Sequence, residues 1–116
     1  MKRIIGTTIA AAVVFAAFGT AAFAQDAKAV EKGRQLFTEQ KCTLCHSAEG
    51  KGSKKDSLDT VGSDLSAAEI KQWITDPKGM TAKTKATRKP VMKEYKNLSA
   101  ADVDALVAYL STLKKK

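Results

Sequence analysis

Cys42-Thr43-Leu44-Cys45-His46 sets two thiols three residues apart and an imidazole directly after the second. The 116-residue chain has no other cysteine or histidine, and random placement of these residues would produce the run about once in seven thousand shuffles. Composition therefore does not account for it. A C-x-x-C-H run is the attachment sequence for haem c: both thiols add to porphyrin vinyl groups as thioethers, and the histidine reaches the iron from the same turn. Two other chemistries use paired cysteines. A thioredoxin-like redox pair belongs between a strand and a helix, and no alternating strand pattern is present. A zinc site needs four Cys or His ligands, and this chain has only three. With one histidine, a bis-histidine iron is excluded by counting.

Upstream, Lys2 and Arg3 precede an uncharged apolar stretch over residues 4–18, and small residues ending in Ala22-Phe23-Ala24 lead into Gln25-Asp26. This order predicts a secretory signal peptide over residues 1–24, cleaved after Ala24, with residues 25–116 as a single mature domain. An uncleaved anchor is the alternative, since residues 4–24 are just long enough to span a bilayer. An Ala-, Gly- and Thr-rich segment in place of a Leu-rich one favours cleavage. The chain carries 20 Lys and Arg against 12 Asp and Glu, a net charge of +8; losing Lys2 and Arg3 lowers that by two and leaves the exported protein basic. The length excludes a two-domain enzyme and the two cysteines exclude a disulfide framework. A chain with 44% apolar and 28% charged residues has globular rather than disordered composition. Beyond residue 24 only Phe37, Trp73, Tyr95 and Tyr109 supply aromatic bulk, so a bound group is expected to help fill the interior.

Three helices are predicted. Over residues 27–40, Val30, Gly33, Leu36 and Phe37 form a stripe between Lys28, Glu31, Lys32 and Arg34, and this helix delivers the chain to Cys42. In Leu65-Ser66-Ala67-Ala68-Glu69-Ile70 a serine N-cap precedes a glutamate that can bond back to it, with Leu65 and Ile70 as a hydrophobic staple. That helix is expected to run to Asp76 and stop at Pro77, because proline pushes the preceding residue out of the helical region. Leu98-Ser99-Ala100-Ala101-Asp102-Val103 repeats the pattern with aspartate. Val103, Leu106, Val107, Leu110 and Leu113 then make the apolar face of a last helix ending in Lys114-Lys115-Lys116, whose charges suit the negative end of the helix dipole. Residues 47–64 and 78–97 are left as long connections, uncommon in a compact domain unless they bind or wrap something.

On the C-x-x-C-H run, the order of helices, and Gly33, Phe37, Leu106 and Tyr109, residues 27–113 resemble a small bacterial class I (monohaem) cytochrome c. The resemblance implies an all-α cytochrome c fold: N- and C-terminal helices crossing closely at the glycine with aromatic packing, a middle helix, and long loops wrapped around one haem c attached through Cys42 and Cys45 and ligated by His46. A glycine inside a helix costs about 1 kcal/mol relative to alanine, which makes sense at Gly33 if another backbone approaches there. The family's sixth ligand is a methionine on the loop before the last helix. Met92 suits that position, and Met80, just after Pro77, is its rival. Trp73 stands where some relatives have a tryptophan that donates to a haem propionate; a purely core role suits it equally. Many relatives also carry Gly-Pro-x-Leu after the attachment run, the proline carbonyl accepting the histidine's other N–H. Near residues 58–65 this chain has no proline, so the group that orients His46 is left open.

A His/Met iron has both axial positions taken by protein, which implies an electron carrier rather than an enzyme. Haem c is attached outside the cytoplasmic membrane in bacteria, in agreement with export to the periplasm. Lys83, Lys85, Arg88, Lys89, Lys93 and Lys96, with Glu94 the only acid among them, would steer a redox partner with an acidic docking surface. The expectation is a monomer, without nucleic acid and without stable membrane insertion after cleavage. A haem subunit of a larger oxidoreductase complex, and a gas- or peroxide-reactive haem with a labile sixth ligand, are the alternatives.

Overall fold

The computed structural model describes the backbone of residues 18–116 and the side chains from residue 27 onward. Residues 1–17, most of the expected signal peptide, lie outside the described residues. Helix α1 (Phe18–Glu39) begins earlier than the periodicity suggests and runs on through Ala24. It ends where Lys41 takes a left-handed conformation (φ 59°), which turns the chain into a single 3-10 turn, Cys42–Leu44. A minimal hairpin follows, β1 (Ser47–Ala48) antiparallel to β2 (Lys51–Gly52), with Ser47 opposite Gly52 and Ala48 opposite Lys51. Its turn is made by Glu49 and Gly50, both at positive φ (53° and 79°), the geometry that matches strand twist in a two-residue loop. Strands of two residues show no alternation, so the sequence pattern does not reveal them.

Four helices complete the chain: α2 (Val61–Asp64), α3 (Ala67–Thr75), α4 (Pro77–Thr84) and α5 (Ala100–Ser111). The predicted capping box opens α3: Ser66 Oγ accepts the Glu69 N–H at 3.2 Å and Glu69 Oε1 accepts the Ser66 N–H at 3.1 Å. Pro77 ends that helix as expected, but it also starts α4. A proline at the first helical position gives up an N–H that would have no partner anyway, and the Asp76 carboxylate accepts the Gly79 N–H at 3.0 Å. The expected 78–97 loop is therefore helical in its first part and irregular only from residue 85.

At α5, Ser99 Oγ accepts the Asp102 N–H at 3.1 Å. The Asp102 carboxylate instead pairs with Lys32 Nζ on α1 at 2.8 Å, tying the terminal helices together. Because α5 stops at Ser111, the C-terminal lysines do not sit on its dipole as expected. The tail turns back on α2: the Gly62 N–H donates to the Leu113 carbonyl at 2.7 Å, the Lys115 N–H to Ser63 Oγ at 2.8 Å, and Lys115 Nζ lies 3.1 Å from Asp64.

The core lies between α1 and α5, with α3 against α5. Leu36 and Phe37 of α1, Ile70 and Ile74 of α3, and Val103, Leu106, Tyr109 and Leu110 of α5 are all buried in one cluster. The expected crossing at Gly33 is present, and the Phe37 and Tyr109 rings meet edge to face, 6.0 Å between centroids at 69°. Offset geometry of this kind adds about 0.5–1.5 kcal/mol beyond area burial. Among the described residues no helix is long and apolar enough to cross a membrane.

Candidate haem-attachment site

The turn that carries the two thiols is held by backbone bonds alone. The Cys45 and His46 N–H groups donate to the Cys42 carbonyl at 3.2 and 2.9 Å, and the Leu44 N–H donates to Lys41 at 3.1 Å. The hairpin closes over it. The Ser53 N–H reaches the Thr43 and His46 carbonyls at 2.9 and 3.1 Å, and a Cβ on Gly52 (φ +103°) would stand 2.2 Å from the His46 carbonyl oxygen. Only glycine allows β2 to lie this close to the turn.

Cys42 is half-buried and Cys45 exposed, and both are free thiols. Burial pushes the Cys42 thiol up, partly offset by Tyr95 beside it. Tyr95 is pushed up to about 12, first by burial and then by the neighbouring Cys42, and its hydroxyl donates to the Gln40 carbonyl at 3.5 Å. Tyr95 thus fastens the irregular 85–97 segment beside the attachment turn.

His46 presents its two ring nitrogens differently. Nδ1 is sealed from solvent and makes no aligned hydrogen bond, although Asp56 Oδ2 lies 2.8 Å away. Leaving a buried donor unsatisfied costs about 1–3 kcal/mol. The ring as a whole keeps 19% side-chain exposure, so its accessible edge is the one away from Nδ1. This arrangement fits a metal-bound histidine: one nitrogen turned inward toward a protein acceptor, the other left for the metal. Free thiols three residues apart on the same turn fit thioether attachment. Among the described residues, no three His, Cys, Asp or Glu side chains converge on a point as a protein-only metal site would require.

The two methionines are held differently. Met80 is 5% exposed and belongs to α4. Met92 lies on the irregular segment and packs, partly buried, against the core cluster that Cys42 also touches. Trp73 is half-buried on α3, next to buried Ile74. All six basic residues of the 83–96 stretch are exposed, but not all are unengaged: Arg88 pairs with Asp56, Lys96 Nζ lies 3.6 Å from Glu94, and Lys93 covers the Tyr95 ring at 5.5 Å.

Sequence reasoning missed Glu49, which ties the hairpin to the helix crossing. Its carboxylate accepts from Arg34 Nε at 3.1 Å, and the Arg34 guanidinium stands 5.3 Å from the centre of the Tyr109 ring. Tyr109 is pushed up to about 12, first by its burial and then by the neighbouring Glu49 carboxylate. It also missed Asp56 and Tyr95 as neighbours of His46 and Cys42. No local signal marks any of the three, since each acts across a fold contact.

Helices α1 and α5 crossing over a C-x-x-C-H turn define the class as c-type haem proteins. The Cytochrome c family model matches residues 30–114, and the chain belongs to that family, whose members bind haem c covalently. It is 29% identical over 92 residues to cytochrome c oxidase subunit 2 of Alkalihalophilus pseudofirmus, covering 72% of this chain and 25% of that one. It is 31% identical over 85 residues to the Cbb3-type cytochrome c oxidase subunit CcoP of Helicobacter pylori strain 52, covering 73% of this chain and 28% of that one. The chain thus spans about a quarter of the length of these curated relatives. No solved structure matches it significantly.

Proposed function

We propose that this chain is an exported single-electron carrier holding one haem c, with Cys42 and Cys45 as the thioether donors, His46 as one axial ligand and Met92 as the other. The observation that carries the reading is the attachment turn: two cysteines and an imidazole with a sealed Nδ1 brought together in one turn, in a chain of the cytochrome c family. Bound there, haem iron supplies a one-electron couple whose potential depends on its axial ligands and surroundings. The chain's own task is to hold that ligand set still. The backbone bonds of the turn hold His46 beside the two cysteines, and Tyr95 keeps the 85–97 segment against Cys42. Met92, free of helix hydrogen bonds, can turn its thioether inward, whereas Met80 is committed to the interior of α4. Trp73 is the proposed donor to a haem propionate. With both axial positions taken by protein, transfer is favoured over substrate chemistry.

Residues 1–24 are assigned as a cleaved signal peptide, which puts the mature domain in the periplasm as a monomer. Its partners are redox proteins with acidic docking surfaces, met by the exposed Lys83, Lys85, Lys89 and Lys93. The test is an oxidised and reduced absorption spectrum of the mature protein made in a host that attaches haem c, followed by carbon monoxide. A c-type spectrum with a weak far-red sulfur-to-iron band, and no response of the reduced protein to carbon monoxide, is expected. Ready carbon monoxide binding would overturn the sixth-ligand assignment and favour a gas- or peroxide-reactive haem.

A second reading, a haem subunit of a larger oxidoreductase complex, draws on the two oxidase-subunit relatives. Elution of the native protein at the mass of a complex would favour it; elution at monomer mass would favour the free carrier.

A further inference from the structure

We propose that Asp56 is the positioning residue for His46, its carboxylate accepting the Nδ1–H of the imidazole and, through Arg88, tying the proximal histidine to the loop that carries Met92. The proposal rests on the assignment of His46 as an axial ligand. The sequence leaves open which group orients this ring, because no proline follows the attachment run in the region where relatives place one.

Asp56 Oδ2 lies 2.8 Å from His46 Nδ1, with the two side chains only 27% and 19% exposed. Nδ1 is buried and has no aligned hydrogen bond of its own. The separation is already that of a charge-assisted bond, so only the angle departs from one. The carboxylate does not reach this point on a free tether. The Asp56 carbonyl accepts the Ser47 N–H at 3.0 Å and the Leu58 N–H donates to the Ser47 carbonyl at 2.8 Å. Residues 56–58 are therefore laced to the residue next to the ligand. Arg88 Nη1 pairs with the same Oδ2, four residues ahead of Met92 on the irregular segment.

The chemistry follows from the acceptor. A carboxylate takes a stronger hydrogen bond from an imidazole N–H than a main-chain carbonyl does, and it raises the basicity of the opposite nitrogen. That stabilises the more positive, oxidised iron and lowers the potential. Arg88 withdraws part of the carboxylate's charge and moderates the effect. One carboxylate thus links the segments that carry the two proposed ligands, His46 and Met92.

The test uses the mature holoprotein with ¹⁵N-labelled histidine and compares wild type with Asp56→Asn, Arg88→Gln and the double variant. In the reduced state the wild type should show a strongly downfield, slowly exchanging His46 Nδ1–H. Asp56→Asn should shift it upfield and raise the midpoint potential, about a tenfold change in the reduced-to-oxidised ratio at fixed solution potential, or ~59 mV for one electron. Arg88→Gln should move the proton downfield and lower the potential, an effect lost in the Asp56→Asn background. An Nδ1–H unchanged by Asp56→Asn would overturn the proposal, whatever the potential does, and assign the acceptor to a main-chain carbonyl. If Asp56→Asn fails to load haem, Arg88→Gln decides alone, and an unmoved Nδ1–H rejects the idea. A wild-type spectrum without histidine ligation would sink the parent reading instead, so the two failures are distinguishable.

Discussion

A Cβ built on Gly33 would stand 2.0 Å from the Ala105 carbonyl oxygen and 2.6 Å from Tyr109 Cβ, so α1 and α5 meet there backbone to backbone. The obstacle is main chain, which cannot swing aside as the end of a side chain can. Gly33→Ala gains about 1 kcal/mol of helix propensity but forces the crossing apart, and overpacking costs about 1–3 kcal/mol or more. The expected net result is a lower thermal midpoint, by about 4–8 °C for each kcal/mol lost. A midpoint at or above wild type would mean that the helices separate there without cost.

Met92 and Met80 should separate cleanly by substitution. Met92→Ala is expected to abolish the far-red band of the oxidised protein and to let carbon monoxide bind the reduced one. Met80→Ala removes a side chain buried to 5% exposure in α4, which should cost about 2–5 kcal/mol of stability and leave the band in place. The reverse pattern in the two spectra would make Met80 the ligand.

Electron exchange with an acidic partner should slow as salt rises, because exposed charges are screened beyond about 10 Å at 0.1 M ionic strength. Lys89→Glu and Lys93→Glu should slow it further at low salt and change little at high salt. Arg88 and Lys96, already paired with Asp56 and Glu94, should contribute less than Lys89. Stopped-flow rates independent of ionic strength would remove the electrostatic docking surface.

Stability should fall at both ends of the pH range. Glu49 is held below the usual carboxylate range first by the neighbouring Tyr109 hydroxyl and then by Arg34, and Glu69 first by the Ser66 N–H. Depressed folded values contribute stability that is complete above the unfolded value, about 4.3 for glutamate, and lost as pH drops through the folded one. Tyr109 has the opposite sign. Burial and then Glu49 push it up to about 12, so its contribution is complete below the unfolded value of about 10 and is lost as pH climbs toward 12. Thermal midpoints should therefore decline below about pH 4.5 and above about pH 10. Glu49→Gln should flatten the acid limb, and an unchanged limb would place the sensitivity elsewhere.

The features legible in the sequence are those whose causes lie within a few residues. The box at Ser66 and Glu69 formed as read because the partners share one helical turn. At Ser99 and Asp102 the cap formed, yet the shorter aspartate side chain turned to Lys32 on another helix. Pro77 was half legible: its effect on the preceding residue ended α3, while the Asp76 cap that makes it a helix start appears only once the backbone has turned. The candidate site divides in the same way. Cys42, Cys45 and His46 stand together in the chain, whereas Asp56, Tyr95 and Glu49 reach the site or the crossing through folds in the backbone.

The attachment run, the starts of α3 and α5 and the apolar faces of α1 and α5 were thus determined by the sequence alone, because capping, periodicity and motif spacing act over neighbours along the chain. Tertiary structure alone decided that Tyr95 lies against Cys42, that Lys115 returns to Asp64, and that the Asp56 carboxylate comes within 2.8 Å of His46 Nδ1. These contacts depend on where loops and helix crossings carry distant residues. Packing of the whole chain sets those paths, and no local pattern encodes them.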